Sequence, residues 1–109
     1  IALADDSQAP GVFQAAADLD LSVPRDLSIL GFGNQDHRSA SSLGLTTVEW
    51  PLKEMTEAAV SSIINVIEGR SPMTDVHPSA SIDKEAPDGT PIATIPTRPV
   101  WRSSVARRA

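Results

Sequence analysis

The 109-residue chain contains no cysteine, which excludes disulfide staples, thiolate metal sites and a cysteine nucleophile. It has no apolar run approaching the roughly 20 residues of a membrane span, and no charged start leading into an apolar core marks a signal peptide. Positive charge is scarce. Nine Lys and Arg stand against 14 Asp and Glu, for a net charge of -5 and a pI of about 4.8. Such a chain is poorly suited to gripping DNA or an anionic membrane by itself. What is present is globular in composition, 40% hydrophobic and 21% charged. That suffices for one small domain or a part of a larger one. The chain opens at Ile1, without a Met, directly in a strand-like run, and reads as a fragment or a processed chain.

Charge and proline are unevenly distributed. Residues 1–97 sum to -9, whereas the last twelve carry Arg98, Arg102, Arg107 and Arg108 and no acid. A basic tail can mark nucleic-acid contact. Here only Trp101 accompanies it, so a solvated C-terminal end is the better reading. Six of the nine prolines lie between Pro72 and Pro99. With Gly89 and several Ser, Thr and Asp residues, the stretch 71–94 reads as a long loop with little regular structure.

Elsewhere the pattern alternates between strands and helices. Ile1-Ala2-Leu3-Ala4 reads as a buried strand. A helix starts near Ser7, because Pro10 is tolerable only in a first turn. Ala9, Val12, Phe13, Ala16 and Leu19 give it one apolar face. Leu27–Phe32 is a second strand, closed by the turn residues Gly33-Asn34-Gln35-Asp36. Residues 37–44 form a loop or a single turn, and Leu45–Val48, rich in β-branched side chains, a third strand. Pro51 opens a second helix that Gly69 stops. Its stripe is Leu52, Met55, Ala59, Ile63 and Val66, widened by Val60, Ile64 and Ile67. Residues 92–95 and 98–102 are edge strands interrupted by prolines. The fold class is therefore α/β, a mostly parallel sheet with flanking helices. Ligands on such sheets gather at the carboxyl ends of the strands. Those ends are Asp5-Asp6, Gly33-Asn34 and Glu49-Trp50.

Taken singly, the chemical signals are modest. In Asp5-Asp6 the helix-cap reading falls chiefly on Asp6, and the ligand reading, a cation or a polyol, chiefly on Asp5. Asp75-x-His77 is the one local pair resembling metal ligands, and a single pair is insufficient. No G-x-S-x-G nucleophile elbow occurs. Gly31-Phe32-Gly33 lacks the third glycine and the helix start of a dinucleotide fingerprint. A receiver domain is rejected because no phospho-accepting Asp ends a later strand. Trp50, after a strand, can stack on a sugar ring or simply pack.

Read together, the elements are specific. Ala4-Asp5-Asp6 is followed by a helix, then by Leu21-Ser-Val-Pro24-Arg-Asp-Leu-Ser-Ile-Leu-Gly-Phe32, Leu45-Thr-Thr-Val48, Pro51-Leu52 and Glu68-Gly-Arg70. Ile95-Pro-Thr97 and Val100-Trp-Arg-Ser103 close the series. This ordered set resembles the C-terminal part of LacI/GalR-family transcription regulators, and it covers most of the chain outside 71–94.

The resemblance implies a portion of a two-lobed, type I periplasmic-binding-protein-like effector domain. Residues 1–49 would end the second lobe, 50–94 would cross into the first with a helix and a long loop, and 95–109 would cross back as a basic tail. It implies a cytoplasmic homodimeric regulator, not an enzyme, with no cofactor and no metal. A sugar-like or nucleobase effector would bind between the lobes, and operator DNA would be contacted only through an N-terminal headpiece absent from these residues. The family's ligand-binding Asn falls on Asp5, its ligand-binding Asp on Gly33, and a crossover position often Gln on Trp50. Asp5, Asn34 and Trp50 are thus the candidate effector-binding residues. Gly33, without a side chain, points to an unusual effector. The family's helix-ending Gly is Asp20 here, a poorer stop, and the 71–94 connection is longer than usual. A solute-binding protein of a sugar transporter shares the fold and is the alternative; a small parallel-sheet enzyme is the third reading. The wide apolar side of helix 51–69 predicts self-association of the isolated chain.

Overall fold

The computed structural model of the chain describes residues 1–107; Arg108, which ends the run of basic tail residues, lies outside the described residues. In chain order the elements are α1 (Ala9–Asp18), β1 (Leu30–Gly33), α2 (His37–Ser42), β2 (Thr46–Glu49), α3 (Leu52–Ile67), β3 (Ser81–Glu85), β4 (Pro91–Thr94) and β5 (Arg98–Val100). They divide into two compact units. One comprises Ile1–Trp50 with the segment from Thr97 on, the other Pro51–Pro96.

The first unit is built on a three-stranded sheet in the order β1-β2-β5. β1 and β2 run parallel, with Leu30 opposite Thr46 and Gly33 opposite Glu49. β5 pairs antiparallel on the other side of β2, bringing Arg98 opposite Glu49. The strand expected at residues 1–4 is reduced to a parallel bridge between Ala2 and Leu30. The Leu3 N–H donates to the Leu30 carbonyl at 2.8 Å and the Leu30 N–H to the Ile1 carbonyl at 2.9 Å. Asp5 then turns the chain into a 3-10 turn over Asp6–Gln8 that runs on into α1. The cap is Asp5, not the expected Asp6, since the Asp5 carboxylate accepts the Ser7 N–H at 2.8 Å. Hydrogen bonding from Ser7, first from its side chain and then from its backbone N–H, holds the exposed Asp5 carboxyl below the usual carboxylate range.

Ala9, Ile29, Ala40 and Leu45 form the buried core, with Leu3, Val12, Phe13, Val23, Leu27 and Leu43 packed around it. α1 ends at Asp18, leaving Leu19 exposed at its C-cap. Asp20 takes the left-handed conformation (φ 54°) that glycine normally fills. Its N–H bonds to the Ala17 carbonyl and the Leu21 N–H to the Ala16 carbonyl, closing a Schellman motif. The expected loop or single turn at 37–44 contains the short helix α2. Asp36 caps it by accepting the Arg38 and Ser39 N–H groups.

In the second unit α3 ends in the same motif, now with Gly69 (φ 73°) in the left-handed position. The stretch 71–94, expected to lack regular structure, contains a β3–β4 hairpin with Ser81 opposite Thr94 and Glu85 opposite Pro91. Its turn is built by Gly89 (φ 83°), whose N–H donates to the Ala86 carbonyl at 2.8 Å. The residues expected as an edge strand at 92–95 therefore pair with β3 in a sheet of their own. Ala58 and Asn65 are the buried residues of α3. Asn65 is held by donating to the Thr74 carbonyl at 2.7 Å and accepting from Arg70 Nε at 3.1 Å. The broad apolar stripe stays in solvent, with Ile63 61% and Ile67 78% exposed.

Two predictions follow from these features. The 109-residue chain self-associates through the α3 stripe, and Ile63→Lys with Ile67→Lys shifts it toward monomer in sedimentation at micromolar concentration. A monomer in the parent sequence at those concentrations contradicts this. Separately, Asp26, which pairs with Arg25 and accepts the Ser22 N–H, is held down at about 2. A carboxyl lowered by folding contributes stability above its unfolded value of 3.8 and loses it as pH falls toward 2. Asp26→Asn should therefore flatten the acid limb of a pH–stability curve between those two values.

Candidate functional site

The carboxyl ends of β1 and β2, the turn after Ala4 and the returning tail converge on one polar network, all within the first unit. Asn34 and Thr47 are buried there, and Thr46 and Ser104 are buried at the amino end of β2. Asp6, half-buried, reaches across the sheet end. Its carboxylate accepts the Asn34 backbone N–H at 2.8 Å and the Thr47 hydroxyl at 2.7 Å. The Asn34 side chain donates from Nδ2 to Glu49 Oε1 at 3.0 Å and accepts at Oδ1 from Arg102 Nη2 at 3.2 Å. Glu49 Oε2 lies 3.3 Å from Arg98 Nη2. Arg102 also donates from Nη1 to the Leu45 carbonyl at 2.7 Å, and its N–H bonds to Thr46 Oγ1 at 2.9 Å. Burying these groups is tolerable because their polar atoms are paired; among the described residues no buried side-chain N or O lacks a partner.

Ser104 anchors the tail beneath this network. Its hydroxyl donates to the Ile29 carbonyl at 2.6 Å and accepts the Thr46 N–H at 2.8 Å. Gly44, left-handed at φ 64°, takes the Ser103 and Ser104 N–H groups on its carbonyl. The Arg102-Ser103-Ser104 segment is thus sewn to β1 and β2 from below.

At the rim stands Trp50. Its N–H bonds to the Gly33 carbonyl at 3.3 Å, and its ring meets Phe32 edge-on with centroids 5.6 Å apart and planes at 77°. The indole remains 41% exposed. Of the three residues singled out from the sequence, Trp50 and Asn34 meet at this strand end, Asn34 with its amide already engaged on both sides. Asp5 is engaged in capping. Gly33 has φ 115°, where a side chain is strained. Asp6 and Glu49 were placed at ligand-gathering strand ends by the sequence without being chosen as contacts, and Thr47, Arg98 and Arg102 were not chosen either. The signal that could have found Glu49 is register, since it stands opposite Gly33 across the parallel pair.

Among the described residues no cluster of three His, Cys, Asp or Glu side chains could hold a metal ion. His77 is instead placed by accepting the Ser79 N–H on Nδ1 at 3.1 Å, with Nε2 at 3.2 Å from Glu57. Among the described residues no helix is long and apolar enough to cross a membrane.

A family model described as "Periplasmic binding protein-like domain" matches residues 1–105. The chain belongs to that family. Its relatives include the HTH-type transcriptional regulator MalR of Clostridium butyricum, 40% identical over 62 residues, 57% of this chain and 18% of the relative. Another is the HTH-type transcriptional repressor PurR of Pectobacterium atrosepticum, 30% identical over 87 residues, 77% of this chain and 26% of the relative. Among solved structures, the dimeric Lac repressor with an 11-residue C-terminal deletion superposes with a TM-score of 0.68 at 18% identity. It covers 95% of this chain and 32% of the repressor, and at that identity it speaks for the fold. A LacI-family regulator from Burkholderia phymatum gives a TM-score of 0.61 at 28% identity, covering 97% of this chain and 32% of the other. The chain is thus an effector-domain portion of LacI/GalR type, spanning between about a fifth and a third of these proteins' length. The relatives are regulators rather than enzymes.

The Ser104 hydroxyl ties three segments at once and is buried. Ser104→Ala leaves the Thr46 N–H without its acceptor and should lower unfolding free energy by about 1–3 kcal/mol. Urea denaturation measures it, and a change under a few tenths of a kcal/mol contradicts the assigned role.

Proposed function

We propose that this chain is the portion of a cytoplasmic LacI/GalR-type transcription regulator that supplies one wall of a small-molecule effector site. Residues 1–49 belong to one lobe, 50–94 to the other, and 95–109 return to the first. The observation that carries the reading is the half-exposed Trp50 indole at the carboxyl end of β2, braced by Phe32 and set beside the Asn34–Glu49–Arg98 network. The indole offers a flat apolar face and one N–H donor to a ligand. Asp5 and Asn34 are the accompanying contacts; the Asn34 amide is engaged with Glu49 and Arg102, and one Asp5 carboxylate oxygen accepts the Ser7 N–H. Gly33 offers no carboxylate. These features favour a ligand that stacks, sugar-like or nucleobase, over one fixed by an amide–carboxylate pair.

The regulator works as a homodimer and needs no cofactor or metal for this role. It contacts operator DNA through a headpiece outside these 109 residues, and its task is recognition rather than catalysis. The named regulator relatives favour this over a transporter's solute-binding protein.

The test is calorimetry of the full-length regulator against a panel of sugars and purines. Trp50→Ala should weaken the best ligand about three- to tenfold, the value of one aromatic contact. Tight binding of an ordinary hexose that survives both Asp5→Ala and Trp50→Ala contradicts the reading.

A further inference from the structure

Among the described residues, Asp6 is the one carboxylate of the network whose bonds come from a backbone N–H and a hydroxyl rather than from a cation. It is also the one whose place is cleared by a glycine. A Cβ on Gly31 would collide with Asp6 Oδ1 and lie 2.8 Å from Leu45 Cδ2 and 3.1 Å from Thr47 Oγ1. The backbone it grips is unusual. Gly33 (φ 115°) and Asn34 (φ 53°) are consecutive positive-φ residues, a conformation free for glycine and tolerated by asparagine, so the turn's geometry is set by what holds Asn34. Asp6 holds the Asn34 N–H, while Glu49 and Arg102 hold the Asn34 side chain. The Gly33 carbonyl in turn receives the Trp50 N–H. A release at Asn34 is therefore transmitted within two residues to the indole.

We infer that Asp6 is the positioning residue of the site: by gripping Asn34 and Thr47 together it fixes the left-handed Gly33–Asn34 turn, and through that turn the presentation of Glu49 and Trp50. Its functional meaning rests on the effector-site reading, but its geometry does not. Gly31 belongs to the same device, as the residue whose missing side chain leaves room for the carboxylate.

The test needs no ligand. The 109-residue chain is prepared with Trp101→Phe, so that Trp50 is the only indole. Asp6→Ala, Thr47→Val and Thr47→Ser are then compared by amide hydrogen exchange and acrylamide quenching. In Asp6→Ala the Asn34 amide should exchange about tenfold faster or more, matching the loss of a charge-assisted hydrogen bond. Trp50 should quench about twofold more readily. The Ile29 and Leu30 amides, bonded to the Ser104 and Ile1 carbonyls, should keep their protection. Thr47→Val should show the Trp50 change in weaker form, and Thr47→Ser, which keeps the hydroxyl, should restore the parent behaviour.

Unchanged Asn34 exchange and Trp50 quenching in Asp6→Ala would overturn the inference. So would a loss of protection spread equally over Ile29, Leu30 and Asn34, which would make Asp6 a general stabiliser. If Asp6→Ala does not fold, Thr47→Val against Thr47→Ser decides by the same two readouts. A negative result here leaves the effector reading standing, and a failed calorimetric titration leaves this one standing.

Discussion

The first unit depends on one constraint: polar groups gathered at the buried end of a small parallel sheet must pair with one another. Parallel strands send their carboxyl ends to the same side, so β1 and β2 deliver Gly33, Asn34 and Glu49 together. Three outside segments supply what those ends lack. The turn after the first residues brings Asp6, β5 brings Arg98, and the tail brings Arg102, while Ser104 pairs at the amino ends with the Ile29 carbonyl and the Thr46 N–H. Each is short, and none buries much apolar surface. Their hold comes from hydrogen bonds that are part-buried at Asp6 and Arg102 and fully buried at Ser104, where an unpaired partner is most costly.

The same constraint shapes what the site can offer a ligand. Asn34 spends its amide on Glu49 and Arg102, and Asp5 gives one carboxylate oxygen to Ser7. The remaining exposed feature is aromatic. An indole braced edge-on by Phe32 and tied through its backbone N–H to the Gly33 carbonyl presents its flat face at the end of the strand that the network holds. A wall of this kind discriminates by shape and stacking more than by counting hydroxyl groups.

Much of the fold was legible because its signals were periodic. The apolar spacing of α1, the β-branched run of β2 and the stop at Gly69 each appear where expected. The less legible parts share a physical cause. β3 has every residue exposed, so no alternation of apolar and polar residues announces it. The α3 stripe was readable as amphipathic, but a sequence does not say which face finds a partner. Here Ala58 and Asn65 face inward and Ile63 and Ile67 outward. At the site, Trp50 was found by its place after a strand. Asp5 and Asp6 exchanged roles, because an Asp-Asp pair leaves open which carboxylate caps and which crosses the sheet. Glu49 and Arg98 become neighbours through strand register, and Arg102 joins them through a side chain reaching Asn34 from the tail, pairings between residues far apart in the sequence.

The central claim is that β1 and β2 lie side by side in the same direction, with β5 reversed beside β2. Cross-strand proton contacts in a nuclear Overhauser spectrum of the 109-residue chain test this most directly. The account predicts a parallel set joining Leu30 to Thr46 and Phe32 to Val48, with an antiparallel set joining Thr47 to Val100. An antiparallel set between residues 30–33 and 46–49, or no contacts between them, would contradict it.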